Sequence, residues 1–302
     1  MKTIRVLNLG AGVQSTAIAL MSHKQVVSDI PKFDLAIFAD TQEEPDEVYE
    51  HLDWLKKEVS GSFPVLVRTA GKLGDDLING TRSVGTFDKK DGGRFASIPA
   101  FTSNADGEPA GITRRQCTSE YKVNVINKTI RREVLGLAPK ERIPKEVTVQ
   151  QTIGLSSEEG NRIYGRGGKP GTKERIQANP RFEAHFPLFD MMLNRASIRG
   201  WLDRYGIPHR VPRSACSFCP FHSDSEWKRI RENDPKSWAR VVEIDRALRD
   251  KCSACTRGLE NKLYLHKSCQ PIETIEFKDI SERPGQNGIN FTELECEGMC
   301  GL

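Results

Sequence analysis

The chain has 302 residues, which is enough for one large domain or for one domain with a smaller appendage. Hydrophobic residues make up 37% and charged residues 28%, a composition that excludes wholesale disorder. Lysine and arginine number 45 against 41 acidic residues, so a net charge of +4 excludes a general nucleic-acid-binding coat but permits a local basic patch. No apolar run reaches transmembrane length and polar residues interrupt the first one, so we expect a cytoplasmic protein without a secretory signal or membrane contact.

The first two thirds of the chain alternate short apolar runs with amphipathic segments. This rhythm predicts right-handed βαβ units and an α/β fold with a doubly wound, mainly parallel, five-stranded sheet. The predicted strands are residues 4–9, 34–40, 63–67, 147–155 and 182–189. Helices are predicted from residue 13, after Pro45, over 118–135 and over 194–205. Residues 71–116 and 163–180 are rich in glycine and polar residues and are predicted to be irregular.

The segment between the first strand and the first helix has the composition of an anion-binding loop. In Gly10-Ala11-Gly12-Val13-Gln14-Ser15, small residues let backbone N–H groups converge on an anion at the helix N-terminus, and Ser15 offers a hydroxyl. The loop lacks the Gly-Lys-Ser/Thr of a Walker A motif and the third glycine of a dinucleotide fingerprint. A tight strand–helix turn without a ligand is the alternative.

This loop resembles the PP-loop of the N-type ATP pyrophosphatases and phosphoadenosine phosphosulfate reductases, whose pattern is Ser-Gly-Gly-x-Asp-Ser. Ala11 replaces a glycine and Gln14 replaces the aspartate. Later segments resemble reductase elements in the same order, namely Phe38-Ala39-Asp40-Thr41, residues 153–162 and Pro187-Leu188-Phe189-Asp190. The resemblance covers residues 4–222 and implies an adenine nucleotide alpha hydrolase-like fold. It implies a nucleotide-binding domain over 1–210 and a cysteine-rich, metal-binding helical appendage over 211–302.

The resemblance also implies roles for individual residues. ATP or an adenylyl sulfonucleotide would lie across the carboxyl ends of the strands. Asp40 would lie near the ribose or a magnesium ion, Arg162 would contact the anionic end, and Glu159 would orient Arg162. The phosphate or sulfate group would be held by Gly10, Ala11, Gly12, Gln14 and Ser15. The alternatives are a helix-capping role for Asp40 and a surface ion pair of little energetic value for Glu159 and Arg162.

A basic segment follows the last of these residues. It carries six basic residues against the single acid Glu174: Arg162, Arg166, Lys169, Lys173, Arg175 and Arg181. Such a segment closes over an anionic substrate, contacts a nucleic-acid backbone, or remains solvated.

Eight cysteines all lie beyond residue 116, and clustered cysteines in a reducing compartment indicate metal binding or redox chemistry. Cys117 follows two arginines and precedes a predicted helix, an environment that lowers the pKa of a thiol. Cys216-Ser217-Phe218-Cys219 is a Cys-x-x-Cys pair. A zinc site built from this pair and Cys252-x-x-Cys255 is one interpretation.

The resemblance favours a different metal centre. In the iron–sulfur members of the family, cysteines in the corresponding segments hold a [4Fe–4S] cluster, which implies Cys117, Cys216 and Cys219 as ligands, with Cys300 as a candidate fourth. The tail Glu295-Cys296-Glu297-Gly298 resembles the reductase motif Glu-Cys-Gly-x-His, although no histidine follows. Cys296 is therefore the candidate nucleophile for the sulfur of a sulfonucleotide.

Three functions remain open from the sequence. The first is a reductase-like enzyme that binds an adenine nucleotide and performs thiol- or iron–sulfur-assisted sulfur or redox chemistry, with a thiol reductant protein as partner. The second is an ATP pyrophosphatase that adenylates a substrate, such as a base in tRNA or DNA. The third is a non-catalytic nucleotide- and metal-binding module.

Overall fold

A computed structural model describes residues 2–79, 98–113, 115–250 and 262–277 of the chain. The predicted tail residues Cys296 and Cys300 lie outside the described residues, as do Cys252 and Cys255. In chain order the strands are β1 (Lys2–Leu9), β2 (Leu35–Asp40), β3 (Val65–Thr69), β4 (Phe101–Ser103), β5 (Pro109–Ile112), β6 (Val147–Ile153), β7 (Gly165–Arg166), β8 (Lys169–Pro170), β9 (Phe182–His185) and β10 (Leu263–Tyr264).

The helices alternate with these strands in the first two thirds of the chain. They are α1 (Val13–Lys24), α2 (Asp46–Val59), α3 (Leu73–Asn79), α4 (Asn124–Thr129), α5 (Gly160–Tyr164), α6 (Thr172–Gln177), α7 (Pro187–Asp190), α8 (Arg195–Tyr205), α9 (Asp224–Asn233) and α10 (Pro235–Arg249). Turns of π-helix, Thr118–Val123 and Ile130–Val134, flank α4. No helix within the described residues is both long and apolar enough to cross a membrane.

Five strands form a central sheet in the order β3-β2-β1-β6-β9, and every neighbouring pair is parallel. This confirms the predicted α/β fold and its five-stranded sheet, which is parallel throughout. Because all five strands run the same way, their carboxyl ends lie at one edge, where ligands bind in open α/β sheets. The loop after β1 and the chain after β6 therefore meet at that edge.

Helices cover both faces of this sheet because the strands are apolar on both sides. Leu7 and Phe38 pack with α1, α2 and α8 on one face, whereas Val6 and Ile37 pack with α4 and its flanking turns on the other. Helix α1 is buried around its whole circumference from Ser15 to Ser22, since it lies between the sheet, α2 and α8. It is therefore apolar or small-residue-rich on every side and lacks a polar face.

The structure corrects four sequence-based assignments. The strand predicted over 182–189 ends at His185, because Pro187 begins helix α7. Strand β3 begins and ends two residues later than predicted. The segment 71–116 is not wholly irregular, because its described residues include α3, β4 and β5. The predicted loop 163–180 holds the hairpin β7–β8 and α6. Its glycines form the hairpin: Gly167 and Gly168 have positive φ angles of 61° and 74° at the turn.

Helices α9 and α10 form a second core with earlier parts of the chain. Trp227 and Ile244 pack in one cluster with Leu73 and Tyr121, and β10 pairs antiparallel with β4. The described part of the C-terminal region therefore shares a core with residues 73–121. The division of the chain at residue 210 stays a prediction.

A buried histidine of α2, His51, links α2 to α1. His51 Nε2 lies 2.8 Å from Thr16 Oγ1, and His51 Nδ1 lies 2.8 Å from His209 Nε2. The ring of Trp54 stacks on His51. Burial, with the nearby His209 ring adding to it, lowers the pKa of His51 to about 4. His51 is therefore neutral in the folded chain at neutral pH.

This burial predicts a pH-dependent contribution to stability. The unfolded chain protonates His51 near pH 6.5, whereas the folded chain resists protonation down to about pH 4. Stability contributed by His51 is present above pH 6.5 and is lost as the pH falls towards 4. We expect the free energy of unfolding, measured with urea, to fall between pH 7.5 and pH 4.5 by about 2–3 kcal/mol more in the wild type than in His51→Gln. Equal pH dependence in both proteins would contradict a buried neutral His51.

Candidate functional site

A pocket opens at the carboxyl edge of the sheet, where β1, β2 and β6 end. Five of the eight residues predicted to bind a nucleotide line it: Gly10, Gly12, Gln14, Ser15 and Arg162. Of the other three, Ala11 is fully buried within the loop and Glu159 bonds to two of the lining side chains. Asp40 is not among the described residues that line this pocket.

The loop after β1 is held in shape by its own backbone. The Gly10 N–H donates to Ser15 Oγ at 3.2 Å, and that hydroxyl donates to the Gly12 carbonyl at 3.3 Å. The Thr16 N–H donates to the same carbonyl at 2.9 Å and so begins α1. No side chain caps this helix, so its first-turn N–H groups remain available to an anion. Ser15 Oγ therefore bonds within the loop, and its contact with an anion stays a prediction.

Ala11 explains why the resembled pattern prefers glycine at its position. Its φ angle is 56°, in the left-handed region, where an alanine costs about 1 kcal/mol more than a glycine. The loop nevertheless adopts this conformation because Ala11 is completely enclosed by the surrounding apolar residues. The conformation of the loop therefore does not require a glycine here.

Two further segments pack closely against the loop. A Cβ placed on Gly154 would lie 2.9 Å from the Ser15 backbone nitrogen, so only glycine fits there without displacing the loop. A Cβ on Gly12 would lie 3.2 Å from Ser214 Cβ. Ser214 and the neighbouring Arg213 also line the pocket. These residues follow α8 and were not predicted as site residues.

Glu159 is the most heavily bonded acid at this edge, and it is almost completely buried. Its carboxylate accepts hydrogen bonds from Gln14 Nε2 and Arg162 Nη1. It also accepts from the Ser156 backbone at 3.0 Å, and Arg195 Nη2 lies 3.3 Å away. Burial raises the pKa of Glu159, but the charge of Arg162 and the bonds from Ser156 and Gln14 outweigh burial and leave the pKa below its usual value.

The same contacts give a physical reason for Gln14. Its amide donates to the buried carboxylate of Glu159, whereas an aspartate would place a second negative charge there. The Glu159–Arg162 pair has side chains that are 4% and 19% exposed, so it is a largely buried pair rather than a surface one. Glu159 thus positions both Gln14 and Arg162 at the pocket.

Asp40 lies at the end of β2 but performs a local structural task. Its Oδ1 accepts from the Gln42 N–H at 2.7 Å and from the Tyr49 hydroxyl at 2.9 Å. Burial and the Asp40 carboxylate raise the pKa of Tyr49, so this hydroxyl remains a donor. These contacts link the turn after β2 to α2, but α2 begins after Pro45 without a side-chain cap, so the alternative of a helix-capping role for Asp40 is wrong. The nucleotide or magnesium contact of Asp40 stays a prediction.

Three predicted ligands line a second pocket beside the first. Cys117, Cys216 and Cys219 all contribute to it, and Lys122 lines both pockets. Cys117 and Cys216 pack against the same core cluster, which includes Tyr121 and Phe218, and the Cys219 N–H donates to the Cys216 carbonyl at 2.9 Å. The position of Lys122, five residues after Cys117, was not predicted to matter.

The Cys216 thiol has an environment that keeps it protonated. Its Sγ lies 3.1 Å from Thr41 Oγ1 and 3.9 Å from Glu44 Oε1. Burial, followed by the Glu44 charge, raises the pKa of Cys216 well above its usual value. Lys122 Nζ lies 3.6 Å from Glu44 Oε1 and partly offsets that charge.

Metal binding stays a prediction. Across residues 2–79, 98–113, 115–250 and 262–277, no three histidine, cysteine or acidic side chains are grouped so that they could hold a metal ion. The donor type fits, since three thiols share one pocket. The candidate fourth ligand Cys300 and the candidate nucleophile Cys296 lie outside the described residues.

Comparison with known proteins does not place the chain in a family. No protein-family model matches it, and no curated protein is significantly similar to it.

The contact between Gln14 and Glu159 can be tested with a matched pair of variants. Asp and Asn have the same shape, so comparison of Gln14→Asp with Gln14→Asn isolates the added charge. We expect Gln14→Asp to be less stable at pH 7.5 by about 1–3 kcal/mol, because two carboxylates then meet in a buried site. The difference should shrink near pH 4, where one carboxyl is protonated. Urea unfolding measures both values; equal stability at pH 7.5 would show that Glu159 does not face position 14.

Proposed function

We propose that this chain is an adenine-nucleotide-dependent enzyme similar to the phosphoadenosine phosphosulfate reductases, which performs thiol-dependent sulfur or redox chemistry in the cytoplasm. One observation carries the proposal. The anion-binding loop and Arg162 line a pocket that shares Lys122 with a second pocket lined by three thiols. A nucleotide bound in the first pocket would therefore present its anionic end to the second.

The first pocket has the electrostatics that an anion requires. Lys122, Arg162 and Arg213 contribute their side chains to its lining, and α1 directs its N-terminus towards it. Helix N-termini and cationic side chains both favour phosphate and sulfate groups. The loop amides and Ser15 would hold that group, and Glu159 would keep Arg162 in place.

A buried amide offers a specific contact for another part of the nucleotide. Asn8 lines the pocket, and its Nδ2 donates to Gln151 Oε1 at 3.0 Å. Gln151 Nε2 in turn donates to Asn127 Oδ1 at 3.2 Å. Asn8 Oδ1 is buried and has no hydrogen-bond partner among the described residues. It would accept a hydrogen bond from an amino or hydroxyl group of the ligand, which offsets the cost of burying it.

The chemical step requires a nucleophilic thiolate. In the proposed reaction the Cys296 thiolate attacks the sulfur of an adenylyl sulfonucleotide, and the S–O bond to the nucleotide phosphate breaks. The phosphate oxygen leaves with the electron pair. A thiol of a reductant protein then attacks the enzyme thiosulfonate, forms a mixed disulfide and releases sulfite. Sequence alone supports the role of Cys296.

The thiol pocket is the proposed place for a metal centre. Cys117, Cys216 and Cys219, with Cys300 as a fourth ligand, would hold a [4Fe–4S] cluster, and zinc is the alternative. When bound, the cluster would tune the electrostatic potential beside the nucleotide pocket. Phe218 is completely buried in this region and would shield the thiols from water.

A measurement of nucleotide binding tests the assumption on which the proposal depends. We expect calorimetry to show binding of ATP, AMP or adenosine 5′-phosphosulfate, and Ser15→Ala to weaken it about tenfold to a hundredfold through loss of one hydrogen bond to an anion. Ser197→Ala makes the same change at an exposed position of α8 and should leave the affinity unchanged. No affinity for any of these nucleotides, with or without magnesium, would reject the proposal.

Metal analysis tests the thiol pocket separately. We expect anaerobically purified protein to contain iron and acid-labile sulfide, and Cys219→Ser to lose most of both. Cys269→Ser changes a buried thiol that does not line the pocket, and its iron content should remain that of the wild type. A colourless protein with stoichiometric zinc would reject the cluster in favour of the zinc site.

A second candidate is an ATP pyrophosphatase that adenylates a base in a nucleic acid. The exposed basic side chains next to Arg162 favour it, because a polyanionic substrate would be held beside the pocket. Release of pyrophosphate from ATP would favour this candidate, and release of sulfite from a sulfonucleotide would favour the reductase. Full nucleotide affinity without turnover would favour a non-catalytic module.

A further inference from the structure

We propose that β7, β8 and α6 form a single-stranded nucleic-acid-binding surface beside the nucleotide pocket. We call it the basic surface and define it by Tyr164, Arg166, Lys169, Lys173 and Arg175. Its cations would contact the phosphate backbone, and Tyr164 would stack on a base. Nucleic-acid binding at this surface does not depend on the proposed function. Only the use of the surface as a substrate site rests on that function.

The positive charge of the whole chain is concentrated in this segment. Residues 162–181 hold six basic residues and one acidic residue, a net charge of +5, whereas the entire chain has a net charge of +4. The remainder of the chain is therefore close to neutral. Such local concentration of charge is the electrostatic footprint of a site for a polyanion.

The cations of the basic surface are available for binding. Arg166, Lys169, Lys173 and Arg175 are all exposed, and none has an acidic side chain within ion-pair distance among the described residues. Arg240 shows the opposite arrangement, since it pairs with three acidic side chains. Cations without acidic partners release counterions when phosphates bind, and this release drives nucleic-acid binding.

Tyr164 supplies the aromatic platform that a single strand requires. Its side chain is 59% exposed, and it is the one exposed large hydrophobic residue in this fully described segment. Phe189 supports its ring edge-to-face at 5.8 Å, and Lys173 Nζ lies 5.7 Å from the ring centre. A ring fixed in this way loses little entropy on stacking, and such stacking contributes about 1–3 kcal/mol per base.

The backbone holds these side chains in a preformed arrangement. The hairpin closes tightly, since a Cβ on Gly165 would lie only 2.0 Å from the Lys169 carbonyl oxygen. Tyr164 and Arg162 belong to the same short helix, α5, and Arg162 lines the nucleotide pocket. The basic surface therefore begins two residues after a side chain that lines the nucleotide pocket. A membrane is the poorer partner, because one exposed tyrosine offers no apolar face for insertion.

Fluorescence anisotropy with labelled mixed-sequence single-stranded RNA and DNA tests this surface. We expect the wild type to bind at low salt and to weaken steeply as salt rises. Lys173→Gln/Arg175→Gln should weaken binding about tenfold and reduce the log–log salt slope by about 1.4, because two phosphate contacts are lost. Tyr164→Ala should also weaken binding about tenfold, with the slope unchanged.

The matched control removes the same charge elsewhere. Arg142 and Lys145 are exposed and lie before β6, at the opposite edge of the sheet from the pocket. Arg142→Gln/Lys145→Gln should bind nucleic acid like the wild type. The proposal would be overturned if both double variants lost the same amount of nucleic-acid affinity, or if every variant kept the wild-type affinity. It would also be overturned if the protein bound phosphatidylserine vesicles but neither nucleic acid.

Calorimetry separates this proposal from the proposed function. The Lys173→Gln/Arg175→Gln variant should keep the nucleotide affinity of the wild type, since neither residue lines that pocket. Loss of nucleotide binding in this variant would show that the changes disturb the pocket. It would overturn the proposal that the basic surface is separate from that pocket. If the wild-type protein binds nucleic acid but no adenine nucleotide, the proposed function fails and the basic surface remains.

Discussion

Glu159 introduces a negative charge where water is nearly excluded, and the surrounding site is arranged to stabilise that charge. Donors come from the loop after β1, from the capping turn after β6, from α5 and from α8. A buried carboxylate that lost one of these donors would be strongly destabilising, so the four segments are held in fixed relation. Glu159 thereby links the loop after β1 to Arg162.

The fold was largely predictable because its signals are local. The apolar run of β2 is local in sequence, and all five strands of the sheet were assigned although β6 and β9 contain polar residues. The sequence-based assignments were wrong where the amino-acid composition indicated a loop but the backbone forms strands or helices. Glycines at 165, 167 and 168 indicated a loop, yet positive φ angles at these positions close a hairpin. In residues 71–116, β4 pairs with β5 and with β10, and the paired residues Thr102 and Leu263 are 161 positions apart in the chain.

The candidate site was predictable where its residues belong to a recognisable sequence segment, as in the loop after β1, the segment that holds Arg162 and the cysteine pair at 216 and 219. The loop from Gly10 to Ser15 was identified as a unit, and its residues meet at the pocket. Asn8, Lys122 and Arg213 were missed because their place at the pocket depends on sheet order and on the return of the chain after α8. Asp40 lies at the expected strand end and accepts from Gln42 and Tyr49, and its contact with a nucleotide or magnesium ion stays a prediction.

The two departures from the resembled loop pattern have different physical consequences. Ala11 adopts a left-handed conformation that costs little, and the close approach of Gly154 and Ser214 leaves the loop no room to relax. Gln14 instead changes the electrostatics, since a neutral donor replaces an acid and joins the buried carboxylate of Glu159. Removing a negative charge from the pocket strengthens its attraction for anions and weakens its attraction for a cation such as magnesium. Of the proposed ligands, an anion held by backbone amides and arginine therefore suits this loop better than a metal-bridged phosphate.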